Sequence, residues 1–280
     1  MKVFPFKIPK PEQNALVFQE DYDLAFYDKL HQHEDIQLSY IVEGEGTLIV
    51  GDTVNDYKTG DVLVIGSHLP HVFKSDRQAS EHSHMLTLFF TKTSFGKDFF
   101  ELEALNELKV FFKRSINGFK MTAHQNAMQD YFFQLKTASK LSQFIIFLEL
   151  LKTASKGNYK SLSSFVYDKK YTDIEGKRLA QVFEYTLSNF ENEIMLNQIA
   201  DVANMTKNAF CKYFKKRTNK TYVRFLNELR IEQACKLMRA SSELIICDIA
   251  YQSGFNNLSN FNRQFKAIKS ISPSDYRKRL

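Results

Sequence analysis

The chain has 280 residues, 44% hydrophobic and 25% charged, with a formal net charge of +6, which fits a globular protein of about two domains. Its longest apolar runs, such as FIIFL at 144–148, are too short to span a bilayer, and MKVFPFKIPKPEQ lacks the apolar stretch and cleavage site of a secretion signal. Three cysteines (Cys211, Cys235, Cys247), an odd number in helical sequence, argue against a disulfide framework or zinc finger and for a reducing, cytoplasmic setting. The charge is unevenly placed. Residues 1–100 carry 9 basic and 15 acidic side chains, a net of −6, whereas residues 181–280 carry 16 and 9, a net of +7. An acidic head on a basic tail implies that the two ends meet different partners.

Residues 15–92 read as short strands split by turns: LSYIVEG at 38–44, EGTLIVGD at 45–52, DVLVIG at 61–66 and HMLTLFF at 84–90. Seven of the ten glycines fall between 44 and 118, which gives the turn spacing of an all-β sandwich or barrel. From about 97 onward helical periodicity takes over, with candidates at 98–114 (Phe99, Leu102, Leu105, Leu108), 124–137 and 140–155 (Phe144, Phe147, Leu148, Leu151). Their apolar stripes read as core and dimer surface rather than a cofactor site. A polar stretch at 156–177 reads as an exposed linker, which sets the domains at 1–160, linker 161–176, and 177–280.

The last hundred residues contain an internal echo. Ile199-Ala200-Asp201-Val202-Ala203-Asn204-Met205 recurs as Ile249-Ala250-Tyr251-Gln252-Ser253-Gly254-Phe255. Each copy has an Ile-Ala pair, a small residue, Asn or Gly, and a large apolar residue. This is the pattern of a helix-turn-helix: small residues let two helices approach, and Asn or Gly takes the left-handed turn. A second helix follows each copy, TKNAFCKYFKKR at 206–217 and NLSNFNRQFKAIK at 257–269, with Thr206 and Asn256 or Asn257 as N-caps. In the first, Phe210, Tyr213 and Phe214 form the core stripe, leaving Lys207, Asn208, Cys211, Lys212 and Lys215 outside. In the second, Leu258, Phe261, Phe265 and Ile268 face the core, and Ser259, Asn260, Arg263 and Lys266 face out. One basic, acid-free face is commonly just a solvated surface; two, on duplicated units, point to double-stranded DNA. The connector at 221–240 has helical periodicity, and about eighteen helical residues span roughly 27 Å. That strut could place two recognition helices near one DNA turn apart, about 34 Å.

These residues resemble the AraC/XylS family of transcriptional regulators over about 180–280. The likeness runs through LNQIADVANMTKNAFCKYFKKRTNKT, LRIEQACKLM and IAYQSGFNNLSNFNRQFKAIKSISPSDYRKR, most closely at Ile249, Ala250, Gly254, Phe255, Phe261, Phe265, Lys266, Ser272, Pro273, Tyr276 and Arg277. Asn219 and Ser270 stand where the family usually has glycine after each recognition helix. The resemblance implies a seven-helix DNA-binding domain. It also implies base contacts by Asn208 and Lys212 in the first recognition helix and by Ser259, Asn260 and Arg263 in the second. Lys215, Lys216, Lys220 and Lys266 are better suited to phosphate. Thr206, Lys207 and Asn257, at the helix starts, complete the candidate set.

Six of seven histidines lie at 31–84. The pattern HQHEDIQLSYIVEGEGTLIV…YKTGDVLVIGSHLPHVF resembles the cupin domain that often precedes this DNA-binding domain in sugar-responsive regulators. The fold class is therefore α+β in two domains: a cupin-like barrel at about 15–92 with helices at about 97–155, then an all-α domain with two helix-turn-helix units. Strand alternation would put His31 and His33 on one face, with His71 where the second cupin motif supplies another His. Gln37 stands where metal-binding cupins usually have Glu, and it is a poorer ligand. His68 reads as a loop residue, and His82-Ser83-His84 as an exposed strand start.

Three readings of His31, His33, Gln37 and His71 stay open: a divalent-metal site of the three histidines, a pocket for a small effector such as a sugar, or satisfied barrel histidines with no ligand. The leading function is a cytoplasmic, sequence-specific regulator of transcription controlled by a small molecule, such as a sugar or related metabolite, bound in the cupin domain. It is expected to be an activator that works as a homodimer with RNA polymerase, needs no cofactor and is not an enzyme. A metal-dependent cupin enzyme with a DNA-binding tail and a ligand-independent DNA-binding dimer are the alternatives. No catalytic Ser/His/Asp or Cys/His constellation is visible, since the cysteines lie after 210 and the histidines before 125.

Overall fold

Strands buried on both faces read as continuous apolar runs, and the central strands of the barrel are of this kind. In a computed structural model, which describes residues 15–165 and 173–280, the first unit contains β1 (Val17–Asp23), β2 (Ile36–Glu43), β3 (Gly46–Val50), β4 (Thr53–Tyr57), β5 (Val62–Ile65), β6 (His71–Ser75) and β7 (Ser83–Phe90). α1 (Lys109–Ser115), β8 (Phe119–Met121), α2 (Gln125–Leu135), α3 (Lys140–Lys156) and β9 (Tyr159–Ser161) follow. Two sheets form, in the orders β1-β7-β2-β5-β8-β9 and β4-β3-β6. Register fixes the faces: Leu38 pairs with Val64 and Leu88, and Tyr40 with Val62 and Leu86. These residues pack outward with Ile36 and Phe90 against Phe111, Phe132, Phe147 and Leu151 of the helices. The alternate residues Ile41, Leu63, Ile65 and Met85 join Leu48, Val50, Tyr57 and Phe73 in a second core between the sheets. Gln37, Ser39 and Thr87 share that inward parity, linked Gln37 Nε2 to Ser39 Oγ (3.0 Å) and Ser39 Oγ to Thr87 Oγ1 (2.9 Å).

Several expectations change. The single helix expected at 98–114 is two 3₁₀ turns (Phe99–Glu101, Glu103–Leu108) leading into α1. Leu102 breaks it with an extended backbone (φ −55°, ψ 137°) and an exposed side chain, while Phe100 goes into the core. His31 and His33 do not lie in a sheet strand; His31 makes an isolated antiparallel bridge to His71. The 82–84 segment is only partly exposed, because Ser83 is buried and His84 Nε2 bonds Glu20 Oε1 at 2.8 Å.

The expected linker also shrinks. β9 pairs with β8, and Leu162 is buried in the inter-sheet core. Thr53 and Asn55 donate to the Leu162 carbonyl, and the Asp52 carboxylate accepts from Ser163 Oγ, Ser164 N and Ser164 Oγ. Residues 161–165 thus belong to the barrel and 173–176 begin a helix; the remainder, 166–172, lies outside the described residues.

The second unit, from Ile174 onward, consists of helices joined by tight turns: α4 (Asp173–Asn189), α5 (Leu196–Val202), α6 (Lys207–Thr218), α7 (Tyr222–Ala240), α8 (Ile246–Gln252), α9 (Leu258–Lys269) and α10 (Pro273–Arg277). That is the seven-helix arrangement the family resemblance implies. α7 is central: Phe225 packs with Phe183 and Phe214 around the first helix-turn-helix. Further along α7, Ile231, Ala234, Cys235 and Met238 pack with Ile249, Phe255, Phe261 and Phe265 of the second. No helix among the described residues is long and apolar enough to cross a membrane.

If residues 161–165 belong to the barrel, Leu162→Ala should cost about 2–5 kcal/mol of stability, the usual range for emptying a core leucine site. Urea unfolding of the full chain measures this; a linker leucine would give a change near zero.

Candidate DNA interface and candidate metal centre

The sequence echo becomes a repeated turn. Met205 N–H donates to the Ala200 carbonyl (2.9 Å), and Phe255 N–H donates to the Ala250 carbonyl (3.0 Å). Ala200 and Ala250 are buried at 1% exposure each, where a larger side chain would push the helices apart. Asn204 and Gly254 take the left-handed backbone, with φ of 52° and 86°. At Gly254 even a methyl group is excluded, because a Cβ would sit 2.6 Å from the Phe190 carbonyl oxygen. Arg230 of α7 completes this junction. Its Nε and Nη2 donate to the carbonyls of Phe190 and Asn192 (2.8 Å each), and its guanidinium lies 5.8 Å from the Phe255 ring centre. The second turn is thereby bound to the segment that enters the first. Sequence reasoning missed Arg230; its only signal was a cation among the apolar positions of 221–240.

Both recognition helices start and end as their sequences require. Thr206 Oγ1 accepts from Ala209 N–H (3.4 Å) and Asn257 Oδ1 from Asn260 N–H (3.0 Å), so the second cap is Asn257 rather than Asn256. These two side chains serve the helix starts. Asn219 and Ser270 both take the left-handed C-terminal position, with φ of 54° and 62°. On α6, Lys207, Asn208, Cys211, Lys212, Lys215 and Lys216 are exposed; Phe210 and Phe214 are buried, and Tyr213 is half-buried, which raises its phenol to about 12. On α9, Ser259, Arg263 and Lys266 are exposed and Asn260 is half-buried, accepting at Oδ1 from Arg263 Nη2 (2.9 Å). Two expectations are corrected. Leu258, in the first turn of α9, is 37% exposed rather than core. Lys220, expected on phosphate, is held by Glu228 (2.5 Å) with a nearly buried side chain.

In the barrel, His31, His33 and His71 converge, with ring centroids 4.1 to 5.9 Å apart. One ligand atom from each lies within 4.8 Å of the others. Each Nδ1 faces a backbone carbonyl: Lys29 at 2.8 Å, Asp35 at 2.7 Å and Leu69 at 2.9 Å. A carbonyl can only accept, so all three rings carry their proton on Nδ1, which makes Nε2 the lone-pair atom of each neutral ring. Burial keeps the rings neutral, lowering His31 to about 4, His33 below its ordinary value, and His71 well below it. His71 Nε2 is buried without a hydrogen-bond partner. With its amide nitrogen donating to Ser39, Gln37 turns Oε1 toward His33 Nε2 at 3.3 Å, acceptor against acceptor. A cation between these lone pairs resolves the conflict, so the donor set fits a divalent transition ion. The histidines floor a cavity of about 700 Å³ also lined by Gln19, Glu20, Asp21, Tyr22, Tyr27 and Phe89. The β1 and loop residues among these were not foreseen. His68 is a loop residue with φ of 55° and stands outside the cluster.

Gly254→Ala should uncouple the two helix-turn-helix units. It places a Cβ against a carbonyl at a positive φ, a strain of about 1–3 kcal/mol. Calorimetry should show a lower melting temperature for the DNA-binding unit with the barrel's transition unchanged.

A helix-turn-helix domain model matches residues 199–279, and a cupin domain model matches residues 25–84. The chain is 22% identical over 260 residues to an uncharacterized HTH-type transcriptional regulator, YdeC, of Bacillus subtilis, covering 90% of this chain and 87% of that protein. It is 25% identical over 259 residues to the HTH-type transcriptional activator RhaR of Mannheimia succiniciproducens, with the same coverage. It is 24% identical over 257 residues to the HTH-type transcriptional activator RhaS of Citrobacter koseri, covering 88% and 86%. Two repeated turns, two capped recognition helices with basic outer faces and a cupin barrel ahead of them agree with these matches, and together they support a DNA-binding transcriptional regulator of the AraC family with a cupin domain preceding its helix-turn-helix domain.

Proposed function

We propose that the protein is a ligand-responsive, sequence-specific regulator, without catalytic activity, in which the barrel senses a small molecule and α6 and α9 read the major groove. The observation that carries this is the pair of exposed, acid-free recognition faces on one rigidly joined unit. Asn208 and Lys212 on α6, and Ser259, Asn260 and Arg263 on α9, read bases; Lys207, Lys215, Lys216 and Lys266 hold phosphates. Thr206 and Asn257 fix the helix starts beside the backbone. The RhaR and RhaS relatives are named transcriptional activators, which supports activation here, with RNA polymerase as the partner that this reading requires. A homodimer joined through α2 and α3 accounts for the exposed Phe133, Leu141 and Ile145. A reducing cytoplasm suits the three free cysteines.

The effector site is the cavity over the histidines. We infer that a divalent cation sits on His31, His33 and His71, with Gln37 Oε1 beside it, and that the effector meets the cation's open side. Asp21 offers acceptors for hydroxyl groups, and Tyr22 and Tyr27 offer aromatic faces, a lining that suits a sugar or related polyol. Effector binding shifts the balance between arrangements of the chain with different DNA affinity.

Arg263→Ala and Lys212→Ala should each weaken operator binding by about 1–3 kcal/mol and relax specificity at one base pair, whereas Lys215→Ala should lower the salt slope by about 1 for every sequence. Fluorescence anisotropy on an operator selected from random DNA measures both; unchanged operator affinity in Arg263→Ala and Lys212→Ala would refute the helix assignments. Elemental analysis should find about one transition ion per chain in the wild type and under about a tenth of one in His71→Ala.

A further inference from the structure

A second cavity lies on the outer face of the barrel, beneath α1. It encloses about 480 Å³, within the range of small-molecule sites. Ile36, Leu69, Phe100, Phe112 and Ile116 give it apolar walls. Lys92, Lys109 and Lys113 stand around it with one acid, Glu101. Glu101 lies 2.8 Å from Lys92 Nζ and 3.8 Å from Lys109 Nζ, and these ammonium groups hold its carboxyl below the ordinary value. Lys113 is exposed and makes no ion pair among the described residues. An apolar recess beside a net positive rim selects a ligand with an apolar body and a single anionic head.

The same walls hold the histidines. The Asp35 carbonyl, next to Ile36, accepts from His33 Nδ1, and the Leu69 carbonyl accepts from His71 Nδ1. His68, which also lines the cavity, donates its backbone N–H to the His33 carbonyl at 2.7 Å. A ligand against Ile36 and Leu69 therefore presses on the peptide groups that orient two of the three rings.

We propose that this cleft is a second small-molecule site, specific for an apolar monocarboxylate, and that its occupant acts on the histidine cluster through Asp35–Ile36 and His68–Leu69. The proposal stands whether or not a cation occupies the cluster.

Calorimetric titration of the full-length protein with octanoate, and with octylamine and octanol as matched apolar bodies, tests it. Octanoate should bind at least about tenfold more tightly than either control, a difference of about 1.4 kcal/mol. The Lys109→Ala/Lys113→Ala double variant should lose about tenfold in octanoate affinity, and Ile116→Trp, which fills the recess from its exposed edge, should lose binding. Lys74→Ala, which removes an exposed positive charge on β6 outside this rim, should retain it. In nitrogen-15-labelled protein, octanoate should shift the Nδ1 resonances of His33 and His71. Failure of octanoate to bind, equal binding of the amine, undiminished binding to the double variant, or loss in Lys74→Ala would overturn the site. Binding that leaves both imidazole resonances unmoved would overturn the coupling.

Discussion

The DNA-binding unit depends on one backbone hydrogen bond made twice. A recognition helix can present its side chains to a groove only if its direction is fixed by the helix before it. Met205 N–H to Ala200 carbonyl and Phe255 N–H to Ala250 carbonyl set that direction in the two copies. Everything around these bonds serves them. Alanine at 200 and 250 permits close approach, residues 204 and 254 supply the left-handed backbone, and Met205 and Phe255 turn the chain back toward the unit. The copies differ where their neighbours differ. Asn204 has room for a side chain, whereas Gly254 lies against the Phe190 carbonyl that Arg230 also grips. The glycine thus belongs to the joint between the copies as well as to its own turn.

A different economy governs the barrel. Its large sheet is covered by helices on one side and by the smaller sheet on the other, so each central strand presents apolar side chains in both directions. Polar side chains on the inward face must then satisfy one another, and Gln37, Ser39 and Thr87 do so in a chain. The histidines are the exception. Their Nδ1 atoms donate to backbone carbonyls, which makes Nε2 the lone-pair atom of each ring, and His71 Nε2 is buried without a hydrogen-bond partner. Burial opposes protonation of these rings, so acid–base chemistry is a costly way to complete their bonding, and their lone pairs suit the divalent cation proposed above.

Local signals made much of this legible. The helix-turn-helix units were readable because their constraints lie within seven consecutive residues and occur twice. The strands β2, β3, β5 and β7 were readable from apolar runs bounded by glycines, while β1 (VFQEDYD) and β4 (TVNDY) were missed because polar residues interrupt them at the barrel edges. The linker boundary failed for a similar reason. Ser163 and Ser164 look like linker residues, but their partner, Asp52, is 111 and 112 positions away. The three histidines were identified although their secondary structure was not, since His31 reaches His71 through a bridge that no local pattern encodes. Lys220 and Leu258 show the limit of sorting faces by spacing: a lysine near a glutamate on the next helix turns inward, and a first-turn leucine has no helix to cover it.

The basic tail owes its reach to where its acids go. Glu228 and Glu232 of α7 could neutralise the recognition faces, yet they hold Lys220 and Lys269, at the far ends of the two helix-turn-helix units. Both pairs are largely shielded from water: Lys269 fastens the end of α9 to the central strut, Lys220 fastens the turn after α6 to it, and each consumes negative charge inside the unit. Among the described residues, Lys212, Lys215, Lys216 and Lys266 are left in no ion pair. A polyanion brought to these faces does not have to break existing pairs, and it gains the release of its own counterions. The excess of positive charge over residues 181–280 is therefore more than a count. The acids fix the framework, and the unpaired lysines on α6 and α9 direct the remaining field outward from the recognition surfaces.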